Sequence, residues 1–285
     1  MARVLIVGCG SIGSRRARLL AEMGHEVALF DVRSFADPKD DYEWLAVRID
    51  RDGDLALDKL SGMDAAFVCA PAATHVEIAR QCIEAGVATF IEKPLALTMD
   101  GIPELVAEAE RWGVVTMGAC NMRWAYRELF DGPVPYSATF EVRKPLSAWR
   151  VGAEEAYRRN GIVLEAAIHE MTVAHQRFGE IHDMAIFGDG DVVSIGLTCE
   201  RGMVAIYAAW GEGETTVREV TATYAGFLPP LVFWADTSDE MYRLEMQHFL
   251  DCVTEGKETC NPLRSAAHVL EWAIKAQEEI RTVAA

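Results

Sequence analysis

A glycine-rich turn near the start of the chain limits its possible folds more than any other feature. The turn reads Gly8-Cys9-Gly10-Ser11-Ile12-Gly13; it follows the apolar run Val4–Val7 and overlaps the start of a helical pattern over Ser11–Met23. Glycines at this spacing let a strand turn sharply into a helix and let backbone N–H groups approach a bound group closely. The sequence therefore predicts a strand–turn–helix unit at its start.

Short apolar runs and helical patterns alternate over residues 1–120. Such alternation is typical of a parallel sheet whose strands are joined by crossover helices. We therefore predict an α/β protein that begins with a doubly wound Rossmann domain over 1–120. Its expected strands are Val4–Val7, Glu26–Phe30, Trp44–Ile49, Ala65–Cys69, Ala88–Ile91 and Val114–Gly118, and its expected helices are Ser11–Met23, Thr74–Ala85 and Ile102–Trp112.

The alternation changes after Asn121, and residues 121–285 are expected to form a second domain. Strands separated by tight turns indicate an α+β domain with a mainly antiparallel sheet. We expect this domain to bind substrate and to make the contacts of an oligomer. Its expected elements are a turn over 131–135, a strand over 136–143, a helix over 161–178, several strands over 184–235, and helices over 241–253 and 263–283.

Composition excludes several classes of partner. The formal net charge of -17 at pH 7 argues against nucleic acid and against an anionic membrane surface, because both need a basic face. No apolar run approaches the roughly 20 residues that span a bilayer, and the first apolar run is too short for a signal peptide. The seven cysteines are scattered without a Cys-x-x-Cys pair, so we expect mostly buried, reduced thiols in a cytoplasmic protein.

An acidic residue completes the pattern of the glycine turn. Asp31 ends the second expected strand, 18 positions after Gly13. A carboxylate there accepts hydrogen bonds from the ribose hydroxyls of a dinucleotide and repels a 2′-phosphate, which favours NAD over NADP. Arg33 could soften that preference. The alternative is a glycine turn with an acidic cap and no ligand.

Polar residues follow nearly every expected parallel strand, at the edge where ligands of such sheets bind. We therefore predict one cofactor site there. Its candidate residues are Gly8, Gly10, Ser11, Ile12, Gly13, Asp31, Arg33, Ala70, Pro71, Thr74, His75, Glu92, Lys93 and Asn121.

Four segments together resemble one enzyme family. They are Glu92-Lys93-Pro94, the preceding 68–75, the segment 161–170 that leads to an acid and a histidine, and the segment 241–250. In combination they are similar to the Gfo/Idh/MocA oxidoreductases, which are glucose–fructose oxidoreductase, inositol dehydrogenase and their relatives. The chain departs from that pattern at Arg16, Glu165 and Thr172, where the family more often has His, Asp and Asp.

The resemblance implies catalytic roles for three residues. Lys93 would orient a substrate hydroxyl and relay its proton, His169 would act as general base, and Glu165 would orient the imidazole. The alternatives are a surface lysine paired with Glu92 and a buried structural histidine. No zinc or other metal site is expected, because the sequence after His169 lacks the second histidine of H-E-x-x-H.

The predicted function is NAD-dependent hydride transfer at a hydroxyl or keto carbon of a sugar, polyol or nucleotide-linked sugar. Two alternatives stay open: a non-catalytic dinucleotide-binding regulator, and an enzyme that uses tightly held NAD transiently for elimination or epimerisation. A homo-oligomer through the free face of the second sheet is expected. Aromatic and arginine side chains suit such substrates, and the candidates for contact are Arg123, Trp149, Arg150 and Tyr157, with packing or surface roles as the alternative.

Overall fold

The computed structural model describes residues 1–31, 49–50, 60–145, 158–211, 216–225 and 229–283. Arg33, Trp149, Arg150, Tyr157 and most of the expected strand Trp44–Ile49 lie outside these residues. The chain divides into two compact units. Unit 1 comprises Met1–Ala119 with Tyr242–Ala267, and unit 2 comprises Cys120–Met241 with His268–Ala285.

The sheet of unit 1 is parallel throughout, and the predicted Rossmann fold is confirmed. The strand order is β3-β2-β1-β4-β5-β6. Every residue of β4 and β5 is buried, as expected for central strands of a sheet covered on both faces. The strands are β1 (Arg3–Val7), β2 (Glu26–Phe30), β3 (Ile49–Asp50), β4 (Ala65–Val68), β5 (Ala88–Ile91) and β6 (Thr116–Gly118).

Three crossover helices of unit 1 begin and end within one residue of their predicted bounds. They are α1 (Ser11–Glu22), α2 (His75–Glu84) and α3 (Ile102–Trp112). Gly24 and Gly86 follow the first two helices with positive φ, a conformation that glycine adopts without strain. The local sequence therefore sets these helix ends.

The segment Tyr242–Ala267 belongs to unit 1, although it lies within the range expected for the second domain. The Phe249 ring lies edge-on against Phe67 and Phe90, with centroid distances of 5.4 and 5.6 Å. Asn261 and Gly118 exchange hydrogen bonds of 2.9 Å, one from the Asn261 amide and one from the Gly118 N–H. Long-range packing of this kind leaves no mark in a local sequence pattern.

Unit 2 contains a second six-stranded sheet of order β12-β11-β7-β10-β9-β8. Its neighbouring strands are antiparallel except for the central pair β7 and β10, so the expected mainly antiparallel sheet is confirmed. The strands are β7 (Ser137–Pro145), β8 (Ile181–Gly188), β9 (Val192–Cys199), β10 (Gly202–Gly211), β11 (Val217–Thr223) and β12 (Leu231–Trp234).

The helices complete the described architecture. One face of the second sheet packs against a π-helical turn (Val163–Ala167) and the helix that follows it. Burial alternates along β9, where Val193, Ile195 and Leu197 face inward. A 3-10 turn spans Ala72–Thr74, and the other α-helices with described bounds are α4 (Met122–Ala125), α5 (Arg127–Phe130), α6 (Ile168–Phe178), α7 (Asp239–Glu255) and α8 (Leu263–Val283).

Candidate active site

The turn between β1 and α1 has room for no side chain at two of its glycines. Gly8 has φ +92°, and a Cβ there would lie 2.5 Å from the backbone nitrogen of Ala70. A Cβ on Gly13 would lie 1.9 Å from the carbonyl oxygen of Gly8. Both contacts are far inside van der Waals distance. Glycine is therefore required where the turn passes between β4 and the start of α1.

The start of α1 is open to an anion. A Cβ on Gly10 would meet no atom within 4 Å, and Gly10 caps the helix without a side-chain hydrogen bond. The first turn carries no acidic residue, and the Ser11 side chain is exposed. Free N–H groups and the positive end of the helix dipole favour negative charge at this point. These residues fit the pyrophosphate of a dinucleotide.

Asp31 holds the glycine turn in place from the end of β2. Its Oδ2 accepts a hydrogen bond of 2.7 Å from the N–H of Cys9, and the residue is buried. One carboxylate oxygen is thus engaged by the protein itself. The position and charge of Asp31 fit the predicted ribose contact.

His75, the first residue of α2, links the segments that follow β4 and β5. Its Nε2 lies 2.7 Å from the carbonyl oxygen of Ala70, its Nδ1 lies 3.0 Å from that of Pro94, and the residue is 1% exposed. A neutral imidazole donates to only one of the two carbonyls. Burial lowers the pKa of His75. His75 therefore holds the backbone after β4 and after β5 in position. Thr74 is exposed, and its hydroxyl donates to the Pro71 carbonyl at 2.8 Å.

Glu92 is engaged by a buried arginine. Arg16 on α1 donates from Nε to Glu92 Oε1 at 2.5 Å and from Nη2 to Glu245 Oε2 at 2.7 Å. Its guanidinium carbon lies 4.4 Å from the ring centroid of Phe90. Arg16 and Glu245 are fully buried, and Glu92 is 7% exposed. One cation therefore lies between two buried carboxylates.

This buried cluster bears on the position of Lys93. Burial alone lowers the pKa of Arg16, but the two carboxylates outweigh it and the pKa is raised, so the guanidinium stays charged. Glu92 Oε2 accepts the backbone N–H of Lys93 at 3.2 Å. Because Arg16 binds the Glu92 side chain, α1 fixes the strand end that carries Lys93. The two roles predicted for the Lys93 side chain, a site residue or a surface lysine paired with Glu92, stay predictions.

The segment before His169 is wound more widely than predicted. An α-helix was expected over 161–178, but Val163–Ala167 form a π-helical turn, and the α-helix begins at Ile168. Gly161 has φ +90°, and its lack of a side chain lets the backbone lie against Gln277. Gln277 Oε1 accepts the N–H of Val163 at 3.1 Å. This tertiary hydrogen bond anchors the irregular turn. π-helical turns occur frequently at functional sites.

One family departure, Glu165, lies on this turn, and another, Thr172, lies on the helix α6 that follows it. Glu165 is buried, and its Oε1 accepts a hydrogen bond of 2.7 Å from the Asn160 amide. Thr172 donates its hydroxyl to the carbonyl of Ile168 at 2.8 Å, so its own helix binds it. His169 is half-buried one turn after Glu165. Unit 2 thus carries the predicted acid and histidine on consecutive turns.

Sequence reasoning missed two buried cations of unit 2. Lys144 on β7 donates from Nζ to the backbone carbonyl of Glu165 at 3.1 Å. Arg218 on β11 forms an ion pair with Glu170, and both residues are buried. The available signal was strand alternation, because each cation occupies an inward position of its strand.

Two further candidates, a predicted substrate residue and a predicted cofactor residue, lie near the start of unit 2. The guanidinium carbon of Arg123 lies 4.2 Å from the ring centroid of Phe130, which supports the packing alternative for this predicted substrate residue. Asn121 is buried at the start of α4, and its carbonyl accepts the N–H of Trp124 at 3.0 Å. Among the described residues, no group of three or more His, Cys, Asp or Glu side chains is placed to hold a metal ion.

The parallel sheet and its glycine turn define a Rossmann fold of the dinucleotide-binding class. Residues 2–119 match the family model described as "Oxidoreductase family, NAD-binding Rossmann fold". The match covers less than half of the chain, and it confirms the predicted resemblance to the Gfo/Idh/MocA oxidoreductases.

Similar proteins cover different shares of the chain. An uncharacterized oxidoreductase, YrbE of Bacillus subtilis (strain 168), is 22% identical over 306 residues, which is 89% of this chain and 87% of that protein. The myo-inositol dehydrogenase Hyg17 of Streptomyces leeuwenhoekii is 35% identical over 113 residues, 39% of this chain and 34% of that protein. The crystal structure of a probable dehydrogenase from Thermotoga maritima superposes with a TM-score of 0.83 at 18% identity, covering 99% of this chain and 97% of that one.

Proposed function

We propose that this protein is an NAD-dependent dehydrogenase or reductase that acts on a hydroxyl or keto carbon of a sugar, polyol or nucleotide-linked sugar. The observation that carries the proposal is the link between the glycine turn and Lys93. Arg16 lies in the second turn of the helix that follows the glycine turn, and it binds Glu92, the neighbour of Lys93. The similarity to a named myo-inositol dehydrogenase supports the substrate class.

The cofactor would lie on unit 1. Gly8, Gly10 and Gly13 leave the start of α1 open for the pyrophosphate, and Asp31 would accept hydrogen bonds from the adenosine ribose. The nicotinamide supplies the acceptor or donor of a hydride. The carboxylate of Asp31 would repel a 2′-phosphate, which favours NAD over NADP.

Three side chains would handle the substrate proton. Lys93, half-buried at the end of β5, would donate a hydrogen bond to the substrate oxygen and hold it in position. His169 would take the hydroxyl proton as the hydride leaves the same carbon, and Glu165 would orient the imidazole and stabilise its charged form. The proton and the hydride would thereby pass to different groups, the proton to His169 and the hydride to the nicotinamide.

The test compares Lys93→Met with the matched control Lys275→Met. Lys275 is exposed and pairs with Glu271 one turn away on α8. We expect Lys93→Met to bind NAD+ within about twofold of wild type and to lose about a thousandfold in kcat, in the range ascribed to general acid–base groups. The control should keep full turnover with the polyol or sugar that the wild type oxidises. Undiminished turnover of Lys93→Met contradicts the proposal.

A homo-oligomer is part of the proposal. One row across the second sheet joins Phe187, Ser194, Tyr207, Glu141, Glu219 and Trp234 in register. Directly paired residues share a face, and on this face Phe187 is 75% and Trp234 is 67% exposed. Large exposed apolar side chains such as these two support the proposal of an interaction surface on this face. Light scattering on wild type and Trp234→Glu tests it, with dissociation expected in the variant.

A cytoplasmic location is likewise proposed. All seven cysteines lie in described parts of the chain as free thiols, and six of them are buried. Reduced thiols are typical of proteins in a reducing compartment. No helix in the described parts of the chain is long and apolar enough to cross a membrane. Fractionation of expressing cells tests the location.

A further inference from the structure

Two arginines of unit 2 lie against the ring of one phenylalanine. The guanidinium carbon of Arg123, on α4, lies 4.2 Å from the centroid of Phe130, and that of Arg177, near the end of α6, lies 5.8 Å from the same centroid. Because both contacts share one ring, the two cations are close neighbours in the fold. A planar guanidinium that lies over an aromatic ring still has N–H groups at its edge for another partner.

A third arginine is tied to the same end of α6. The backbone N–H of Arg201, between β9 and β10, donates to the carbonyl of Phe178 at 2.8 Å, and Phe178 directly follows Arg177. Arg177 itself is anchored, because its Nη2 donates to the carbonyl of Gly132 at 2.8 Å and to that of Pro133. The hydrogen bonds of unit 2 therefore hold Arg177 between the other two arginines and the chain that follows α5.

We define Arg123, Arg177 and Arg201 as the arginine cluster. Burial lowers the pKa of Arg177, and the charges of Arg201 and Arg123 lower it further. Tyr224 and Asp131 oppose this decrease but do not reverse it. Like charges disfavour one another at such range. The chain as a whole has a formal net charge of -17, so this concentration of positive charge runs against the overall balance.

The acidic side chains nearby do not pair with the arginine cluster. Asp131 acts on Arg177 through its charge. Glu200 precedes Arg201 in the sequence, but its carboxylate lies against Gly179. Within the described parts of the chain, no carboxylate forms an ion pair with any of the three arginines. An anion that enters the cluster would therefore have to break no ion pair.

We propose that the arginine cluster binds the oxyanion group of a small ligand, a phosphate or a carboxylate. Guanidinium groups form short, charge-assisted hydrogen bonds to both, often two to one anion. The site differs from the proposed active site, because Arg177 follows His169 by eight residues on α6, or about 12 Å along the helix axis. The inference goes beyond the proposed function and does not require NAD+ to bind.

Thermal unfolding of the wild-type protein detects the anion. Inorganic phosphate is the probe, and sodium chloride at the same ionic strength is the reference. An anion bound only by the folded chain raises Tm, and we expect an increase of at least about 3 °C at about 20 mM phosphate. Sodium succinate is the second arm, and the larger of the two shifts identifies a phosphate or a carboxylate as the preferred group. No shift with either anion, relative to chloride, overturns the proposal.

Substitutions locate the bound anion. We expect Arg123→Gln and Arg201→Gln each to weaken phosphate binding at least about fivefold in calorimetric titration, because each removes a charged donor. Arg158→Gln is the matched control, since Arg158 lies in unit 2, is exposed and pairs with Asp191 at 2.8 Å. This control removes the same charge from the protein and should bind phosphate within about twofold of wild type.

The same variants separate the arginine cluster from the start of α1, which is also open to an anion. Phosphate bound at α1, in unit 1, would be unaffected by Arg123→Gln and Arg201→Gln, and that result overturns the proposal. Arg201 is exposed, and within the described residues its side chain makes no hydrogen bond, so Arg201→Gln should fold like wild type. This variant decides the question if Arg123→Gln does not fold.

Discussion

Arg16 and Glu92, 76 positions apart in the sequence, meet at 2.5 Å in the interior of unit 1. The first belongs to the helix that starts at the glycine turn, and the second is the neighbour of Lys93. A buried ion pair contributes little net stability by itself, but loss of one partner leaves an uncompensated charge. The pair therefore fixes geometry, and the loss of one partner alone should be costly.

Replacement of Arg16 by methionine should strongly destabilise the protein. It leaves the buried carboxylates of Glu92 and Glu245 facing each other without a cation, at a cost of about 3–5 kcal/mol in the free energy of unfolding. Urea denaturation measures the change. Arg18→Met is the matched control on the same helix, since Arg18 pairs with Glu22 at the surface and should change stability little. Equal losses in the two variants would show that the buried cluster has no special role.

The glycine turn offers a pair of alanine substitutions with opposite expectations for stability. Gly13→Ala forces a Cβ against the carbonyl oxygen of Gly8 and should lower stability by at least about 2 kcal/mol. Gly10→Ala meets open space and extended backbone, so the fold should persist while a methyl group intrudes where the pyrophosphate would lie. Thermal melts and NAD+ calorimetry separate the two effects. An unchanged NAD+ affinity in Gly10→Ala would contradict the placement of the pyrophosphate beside Gly10.

Stability should fall as the pH is lowered from neutral. The rings of His175 and His268 lie 5.1 Å apart, and burial, followed by the charge of His268, lowers the pKa of His175. Because the folded pKa is below the unfolded value of about 6.5, the unfolded chain binds more protons as the pH drops below that value. The free energy of unfolding therefore decreases as the pH falls through and below about 6.5.

The test for the histidine pair is urea unfolding between pH 7.5 and 5.5. His175→Gln should show a smaller decrease than wild type over that interval, because one of the depressed titrations is removed. His268 Nε2 accepts the N–H of Ile181 at 3.2 Å, which fixes the ring that lies beside His175. A variant with the same pH dependence as wild type assigns the effect to other groups, such as His75.

The sequence predicts unit 1 well because its signals are local. The turn from Gly8 to Gly13 and the glycines that follow α1 and α2 define each element within a few neighbouring residues. The π-helical turn could not be foreseen, since it depends on Gln277, more than one hundred positions after Val163. The role of Lys144 could not be predicted from the sequence for a related reason. Its inward position follows from alternation, but its contact with Glu165 requires the tertiary fold.

The most direct test of the central claim is calorimetric titration of folded wild-type protein with NAD+ and NADP+, followed by mixing of the NAD+ complex with polyols and sugars. The account predicts saturable binding of NAD+, weaker binding of NADP+, and formation of reduced nicotinamide with at least one polyol or sugar. Absence of heat with both dinucleotides, from protein that unfolds cooperatively in urea, would contradict it.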